Sequence, residues 1–113
     1  MDILKDIASQ ITFKIENDEV EVNAPSELYP IAETFEDLGT WPEIWQEALD
    51  TLNGKKPFPH WVVGDGCAVH IEEDGTWFGV QPEFKGPRIK VANEDAKELI
   101  SRFMAAMDEA SKQ

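Results

Sequence analysis

The sequence predicts an α+β fold: an antiparallel β-sheet built from hairpins and packed against helices, in the order α-β-β-α-α-β-β-β-(β)-α. Three observations carry that expectation. Apolar residues recur with a period of two through 11–24 and again through 60–81. Between and after those stretches the period lengthens to that of a helix. The dipeptides Asn17-Asp18, Asp65-Gly66 and Asp74-Gly75 interrupt the alternating runs at hairpin spacing.

Each element follows from its residues. Ile3, Leu4 and Ile7 stand at helical spacing and predict a short first helix over 3–9. Ile11, Phe13 and Ile15 alternate with Thr12, Lys14 and Glu16, as Val20 and Val22 do with Glu19 and Glu21. A hairpin over 11–24 turning at Asn17-Asp18 results, because both residue types tolerate unusual backbone angles. Pro25 ends it. Leu28, Ile31, Ala32, Phe35 and Leu38 then form one helical stripe, with Pro30 in the first turn and Gly39 as the stop. Thr40-Trp41-Pro42-Glu43 has the spacing of a capping box. Ile44, Trp45, Ala48, Leu49 and Leu52 carry the next helix to Asn53-Gly54.

Lys55-Lys56-Pro57-Phe58-Pro59 reads as a loop. Strands at 60–63, 67–72 and 76–81 form a meander, and 88–92 adds a short fourth. Asn93 is placed to cap a final helix bearing Ala96, Leu99, Ile100, Phe103, Met104 and Met107. With two-residue turns at Asp65-Gly66 and Asp74-Gly75, Val62 faces Val69, Val69 faces Val80 and Ile71 faces Phe78, which defines a core row. The opposite face then holds Trp61 beside His70, Glu72 beside Trp77, and Val63 beside Ala68. Large aromatics mixed with polar tips fit either the underside of a helix or a recognition surface.

A chain of 113 residues that is 42% apolar has the size and composition of one domain, 1–113, around one core. No apolar run reaches the ~18 residues that span a bilayer. Met1–Asp6 lacks the basic patch and apolar stretch of a signal peptide, and the lone Cys67 cannot form an internal disulfide. A cytoplasmic location is the expectation. Charge is the unusual feature: the formal net charge is −13. Residues 1–54 hold 13 acidic and two basic side chains, whereas 55–113 hold 10 and eight. Such a field repels nucleic acid and anionic membrane and attracts basic surfaces, so a basic protein is the expected partner. Nothing in the sequence fixes an oligomeric state.

Few residues suggest chemistry. Cys67 and His70 lie an odd number of positions apart on one strand and point to opposite faces, and with His60 they fall short of a structural zinc site. Gly64-Asp65-Gly66 reads as a strand-linking turn, and Glu72-Glu73-Asp74 as a solvated hairpin tip. No nucleophile, acid and base are arranged together, so the chain is expected to be neither an enzyme nor a holder of cofactors or metals. The densest acidic stretch is Glu33, Glu36, Asp37, Glu43, Glu47 and Asp50, carried on two successive helices without a Lys or Arg between Lys14 and Lys55. Tyr29, Phe35, Trp41 and Trp45 are interleaved with it. Those six acids and Trp41, with Trp61, His70, Glu72 and Trp77 of the meander, are the candidate partner-binding residues; Trp and Tyr are favoured interface anchors.

An acidic α+β domain of this size without a catalytic motif resembles the immunity proteins of bacterial toxin systems. The resemblance rests on composition and architecture. It implies a non-catalytic inhibitor, of bacterial or phage type, that blocks a basic enzyme such as a toxin nuclease; acids arrayed on helices also imitate the charge row of a nucleic acid. The second half, with its hairpin followed by Asn93-Glu94-Asp95 and an amphipathic helix, is loosely similar to acidic type III secretion chaperones. That similarity implies instead a chaperone or structural adaptor. A small enzyme or metal-binding domain is the third reading.

Overall fold

The computed structural model describes residues 7–80 and 86–112. Helix α1 spans Ile7–Gln10, so Ile3 and Leu4 of the expected first helix lie outside the described residues, as does Gln81 of the third meander strand. Strands β1 (Thr12–Glu16) and β2 (Glu19–Asn23) follow, then a 3-10 turn at Ser26–Leu28, helix α2 (Tyr29–Leu38) and helix α3 (Pro42–Leu52). Strands β3 (His60–Val63), β4 (Cys67–Glu72), β5 (Gly75–Val80) and β6 (Arg88–Val91) lead into helix α4 (Asn93–Ser111). The described strands form two antiparallel sheets, β1-β2 and β3-β4-β5-β6. The α+β architecture expected from the sequence is the one observed.

The first hairpin turns where the dipeptide indicated. Asn17 and Asp18 have φ of 54° and 66°, and Glu16 pairs with Glu19. Left-handed backbone at both central residues suits the right-handed twist of the flanking strands. Phe13, Ile15, Val20 and Val22 face inward, while Lys14, Glu16, Glu19 and Glu21 face out.

The register of the meander needs one correction. Val62 does pair with Val69 and Trp61 with His70. The next turn, however, is Glu73-Asp74 rather than Asp74-Gly75, because Glu72 pairs with Gly75. Val69 therefore faces Phe78, Ile71 faces Thr76, and His70 rather than Glu72 stands beside Trp77. Gly75 is a strand residue, and its lack of a side chain admits the Lys90 stem: a Cβ there would lie 2.6 Å from Lys90 Cε. The Asn93 side chain fixes this arrangement. Its Oδ1 accepts from the Thr76 hydroxyl at 2.7 Å, and its Nδ2 donates to the carbonyls of Glu72 and Glu73 at 2.9 and 3.2 Å.

Asn93 consequently does not cap α4; it is the first helical residue, after Ala92, and no side-chain cap bond is made. Nor does Thr40 form the expected capping box. Trp41 occupies the cap position of α3, its carbonyl accepting the Ile44 N–H, and Pro42 opens the helix. Gly39 also works differently from expectation, with an ordinary helical φ of −62°. A Cβ there would come within 2.8 Å of the Phe103 ring, so close packing calls for the glycine. Gly54, at φ 83°, is the left-handed residue that ends α3.

One cluster of buried residues joins these parts, with Phe35 of α2 at its centre. The Phe35 ring lies 4.9 Å from Trp45, 4.8 Å from Phe103, 5.3 Å from Phe13 and 5.8 Å from Phe78. It thus touches a ring from α3, α4, the hairpin and the sheet. Trp45 is fully buried, and its indole N–H donates to the Leu38 carbonyl at 3.2 Å, which removes the cost of an orphaned donor. Arg102 of α4 donates to the carbonyls of Ala8 and Ile11 at 2.5 and 2.6 Å, tying the two ends of the described chain together.

Candidate protein-binding surfaces

The structure divides the six acids of 33–50 between different tasks. Asp37 accepts the Gly66 N–H at 3.1 Å, holding the β3–β4 turn against the end of α2. Gly64 allows that approach, since a Cβ there would run into Leu38 Cδ2 and lie 2.8 Å from Asp37 Oδ2. Glu47 lies 3.5 Å from Lys56 Nζ and 3.7 Å from His60 Nε2, and Asp50 accepts from Gln46 at 3.1 Å with Lys55 at 4.0 Å. These two α3 carboxylates are partly neutralised within the chain. Glu43 is exposed in the first turn of α3, where the helix dipole favours it.

Glu33 and Glu36 of α2 belong with the first hairpin instead. The Glu36 carboxyl titrates above the ordinary range, first because it is partly desolvated and then because Glu33 and Glu21 repel its charged form. The negative charge of Glu33 likewise pushes the Tyr29 hydroxyl up. No ion pair among the described residues holds Glu19, Glu21, Glu33 or Glu36. The acids without an ion pair among the described residues therefore gather on the hairpin and α2, where Glu16, Asp18, Glu19 and Glu21 join Glu33 and Glu36. Their signal was available: acids alternating with Val20 and Val22 had to share the outward face of the hairpin.

Between the hairpin tip, α2 and α4 lies a groove of about 360 Å³. Val20, Phe35, Phe103, Met107 and Ala110 give it an apolar floor, while Asp18, Glu19 and Glu36 stand at its polar edge. A second concavity of about 360 Å³ adjoins it, lined by Glu16, Glu19, Glu21 and Glu36 together with Asn17 and Val20. Thr40 also borders the groove, and the next residue, Trp41, is 52% exposed. Tyr29, the first residue of α2, is 47% exposed.

The remaining candidates share the outer face of the four-stranded sheet. Helix α2 packs on the face of Phe78, and on the opposite face Trp61 and Val63 are 46% and 54% exposed. A row of side chains crosses all four strands there, from Trp61 through His70 and Trp77 to Lys90. The Trp61 and His70 rings stack at 3.9 Å and 12°. Arg88 lies 4.7 Å from the Trp77 ring centroid and Lys90 5.5 Å, the latter also reaching Asp74 at 3.0 Å. Trp77 is thus half-buried beneath two cations. Glu72 Oε1 is 3.2 Å from His70 Nδ1; burial lowers the His70 pKa, and the Glu72 charge opposes that shift. This face is distinct from the acidic one and opposite in sign at Arg88 and Lys90.

Among the described residues no group of three or more His, Cys, Asp or Glu side chains could hold a metal, and no helix is long and apolar enough to cross a membrane. No protein-family model matches the chain, and neither a curated protein nor a solved structure matches it.

Proposed function

We propose that this chain is a non-catalytic protein-binding domain of the immunity type, a cytoplasmic inhibitor that covers the basic surface of a partner enzyme such as a toxin nuclease. One observation carries the reading: among the described residues, no ion pair holds Glu19, Glu21, Glu33 or Glu36 of the first hairpin and α2, a surface near the exposed Trp41. At neutral pH these carboxylates repel one another, and a cationic partner converts that repulsion into attraction. The net charge of −13 accelerates encounter with such a partner and disfavours nucleic acid and anionic membrane. Trp41 is the residue suited to anchor the bound state.

The test is to purify the basic gene product encoded beside this gene and mix the two proteins. A one-to-one complex that abolishes the partner's activity is expected, with association slowing as salt rises. Reversing the charges of Glu19, Glu21, Glu33 and Glu36 should slow association and flatten that salt dependence. Cutting Trp41 to Ala should instead speed dissociation, by a factor of roughly thirty for a hot spot of about 2 kcal/mol. A complex whose partner stays fully active would sink the inhibitor reading. It would favour a secretion-type chaperone or adaptor, to which the open Trp61 and Val63 face is suited. Tight, sequence-tolerant binding of DNA or RNA in a gel shift would overturn both.

A further inference from the structure

We infer that the groove between the hairpin tip, α2 and α4 is a socket for one arginine or lysine side chain projecting from the protein partner. The inference rests on the protein-binding reading above and gives that partner's contact its chemistry. The groove combines two features that few ligands satisfy together. Its floor is hydrocarbon and aromatic, from Val20, Phe35, Phe103 and Met107, whereas Asp18, Glu19 and Glu36 line its edge. An anion is excluded by those carboxylates. An inorganic cation such as calcium takes six or more oxygen ligands in a compact shell, and an apolar floor supplies none. A neutral apolar ligand would fill the floor while further desolvating Glu36, whose charged form burial already disfavours.

An arginine or lysine matches both halves. Its aliphatic stem covers apolar surface while its charged head reaches outward to carboxylates. The volume of about 360 Å³ is at the low end of the roughly 300–1,000 Å³ typical of small-molecule sites, a space suited to one long side chain. Two cations among the described residues are placed elsewhere. Lys112, next to Ser111 at the groove, pairs with Asp108 at 3.1 Å, and Lys14 stands on the outward face of the hairpin opposite Glu21. Glu36 also borders the adjoining acidic concavity, so the field that draws a cation extends beyond the groove itself.

The experiment uses the full chain and two small probes, N-acetyl-arginine methylamide and its uncharged citrulline analogue, followed by amide chemical shifts. The arginine probe should move the amides of 18–20, 36–40 and 107–111 in a saturable way. Citrulline should bind at least about tenfold more weakly, the loss expected when a charge-assisted hydrogen bond of roughly 1.5–3 kcal/mol is removed. Met107→Trp fills the floor without altering charge and should abolish saturation. Glu36→Gln, an exposed and conservative change, should weaken the arginine probe about tenfold on the same grounds and keeps the test decisive should Met107→Trp not fold. Equal binding of both probes overturns the inference, as do arginine shifts spread to Glu43 and Glu94 that Glu36→Gln leaves unchanged. Because no partner is used, the two readings fail separately. A stoichiometric inhibitor with a silent groove binds elsewhere on its acidic face, and a responsive groove without an inhibited enzyme is a cation socket with another role.

Discussion

On the open face of the four-stranded sheet the cations are matched within the chain: Lys90 with Asp74 and the Trp77 ring, Arg88 with the same ring. On the hairpin–α2 face Glu21, Glu33 and Glu36 instead confront one another, and the Glu36 carboxyl is raised by partial burial and then by that repulsion. The difference separates contacts that stabilise the isolated fold from charges that the fold leaves unbalanced. Matched contacts contribute to the folded state whether or not a partner is present. Opposed like charges cost stability in isolation and become favourable only when an outside cation arrives, which is the trade-off expected of a binding surface. Substitutions on the two faces should therefore change stability with opposite signs.

The largest effect is expected at the end of the sheet that Asn93 holds. Asn93→Ala removes three hydrogen bonds and leaves the buried Thr76 hydroxyl without its acceptor. A loss of about 2–3 kcal/mol follows, read as a lowered urea midpoint. A shift near zero would mean that the Glu73-Asp74 turn holds itself. Next comes Trp77→Ala, expected to cost about 1–2 kcal/mol through lost burial and two cation–π contacts, while Trp41→Ala stays within about 0.5 kcal/mol. Equal losses at the two tryptophans would erase the distinction between framework and recognition aromatics.

Acid should separate the faces as well. His70 titrates below its ordinary value of 6.5, so the unfolded chain takes up that proton first. Its contribution is flat above that value and is lost as pH falls from 6.5 through the folded pKa; His70→Gln should remove that part of the slope. Glu36 has the opposite sign. Its folded pKa lies above 4.5, so its ionisation costs stability, a penalty present at neutral pH and gone once pH falls below 4.5. Glu36→Gln should stabilise the protein at pH 7 by up to ~0.5 kcal/mol, with the gain vanishing in acid. A destabilised Glu36→Gln would show that the hairpin–α2 charges are matched after all.

Periodicity made much of this structure legible before any coordinates. The alternation around Asn17-Asp18 and around Asp65-Gly66 placed two hairpins in correct register, and the stripe through Ile31, Phe35 and Leu38 placed the helix at the centre of the core. Glycine misled twice for a single reason. At Gly75 and Gly39 the sequence suggests a turn and a left-handed stop, but the missing side chain admits Lys90 and Phe103 from elsewhere in the chain. Asn93 and Thr40 both failed as caps. Propensity reports what a residue can do locally, and Asn93 found better partners across the sheet. The acidic site was half legible: Glu33 and Glu36 were visible as a helical cluster, but their union with Glu21 is a tertiary contact. Asp37 and Glu47 looked equivalent to them until their partners Gly66, Lys56 and His60 were seen.

The bonds from Arg102 to the carbonyls of Ala8 and Ile11 span 94 and 91 positions of sequence. Contacts of such separation close late, because a long loop must lose its freedom before any of them is made. The groove has the same dependence: its hairpin wall comes from 18–20 and its far wall from 103–111. During synthesis the acidic hairpin and α2 leave the ribosome before α4, so Phe13 can meet Phe35 but has no Phe103 to pack on until α4 follows. A ribosome stalled before residue 103 would display the carboxylates without the α4 part of the floor, and so an attraction for cations without a complete place to seat one.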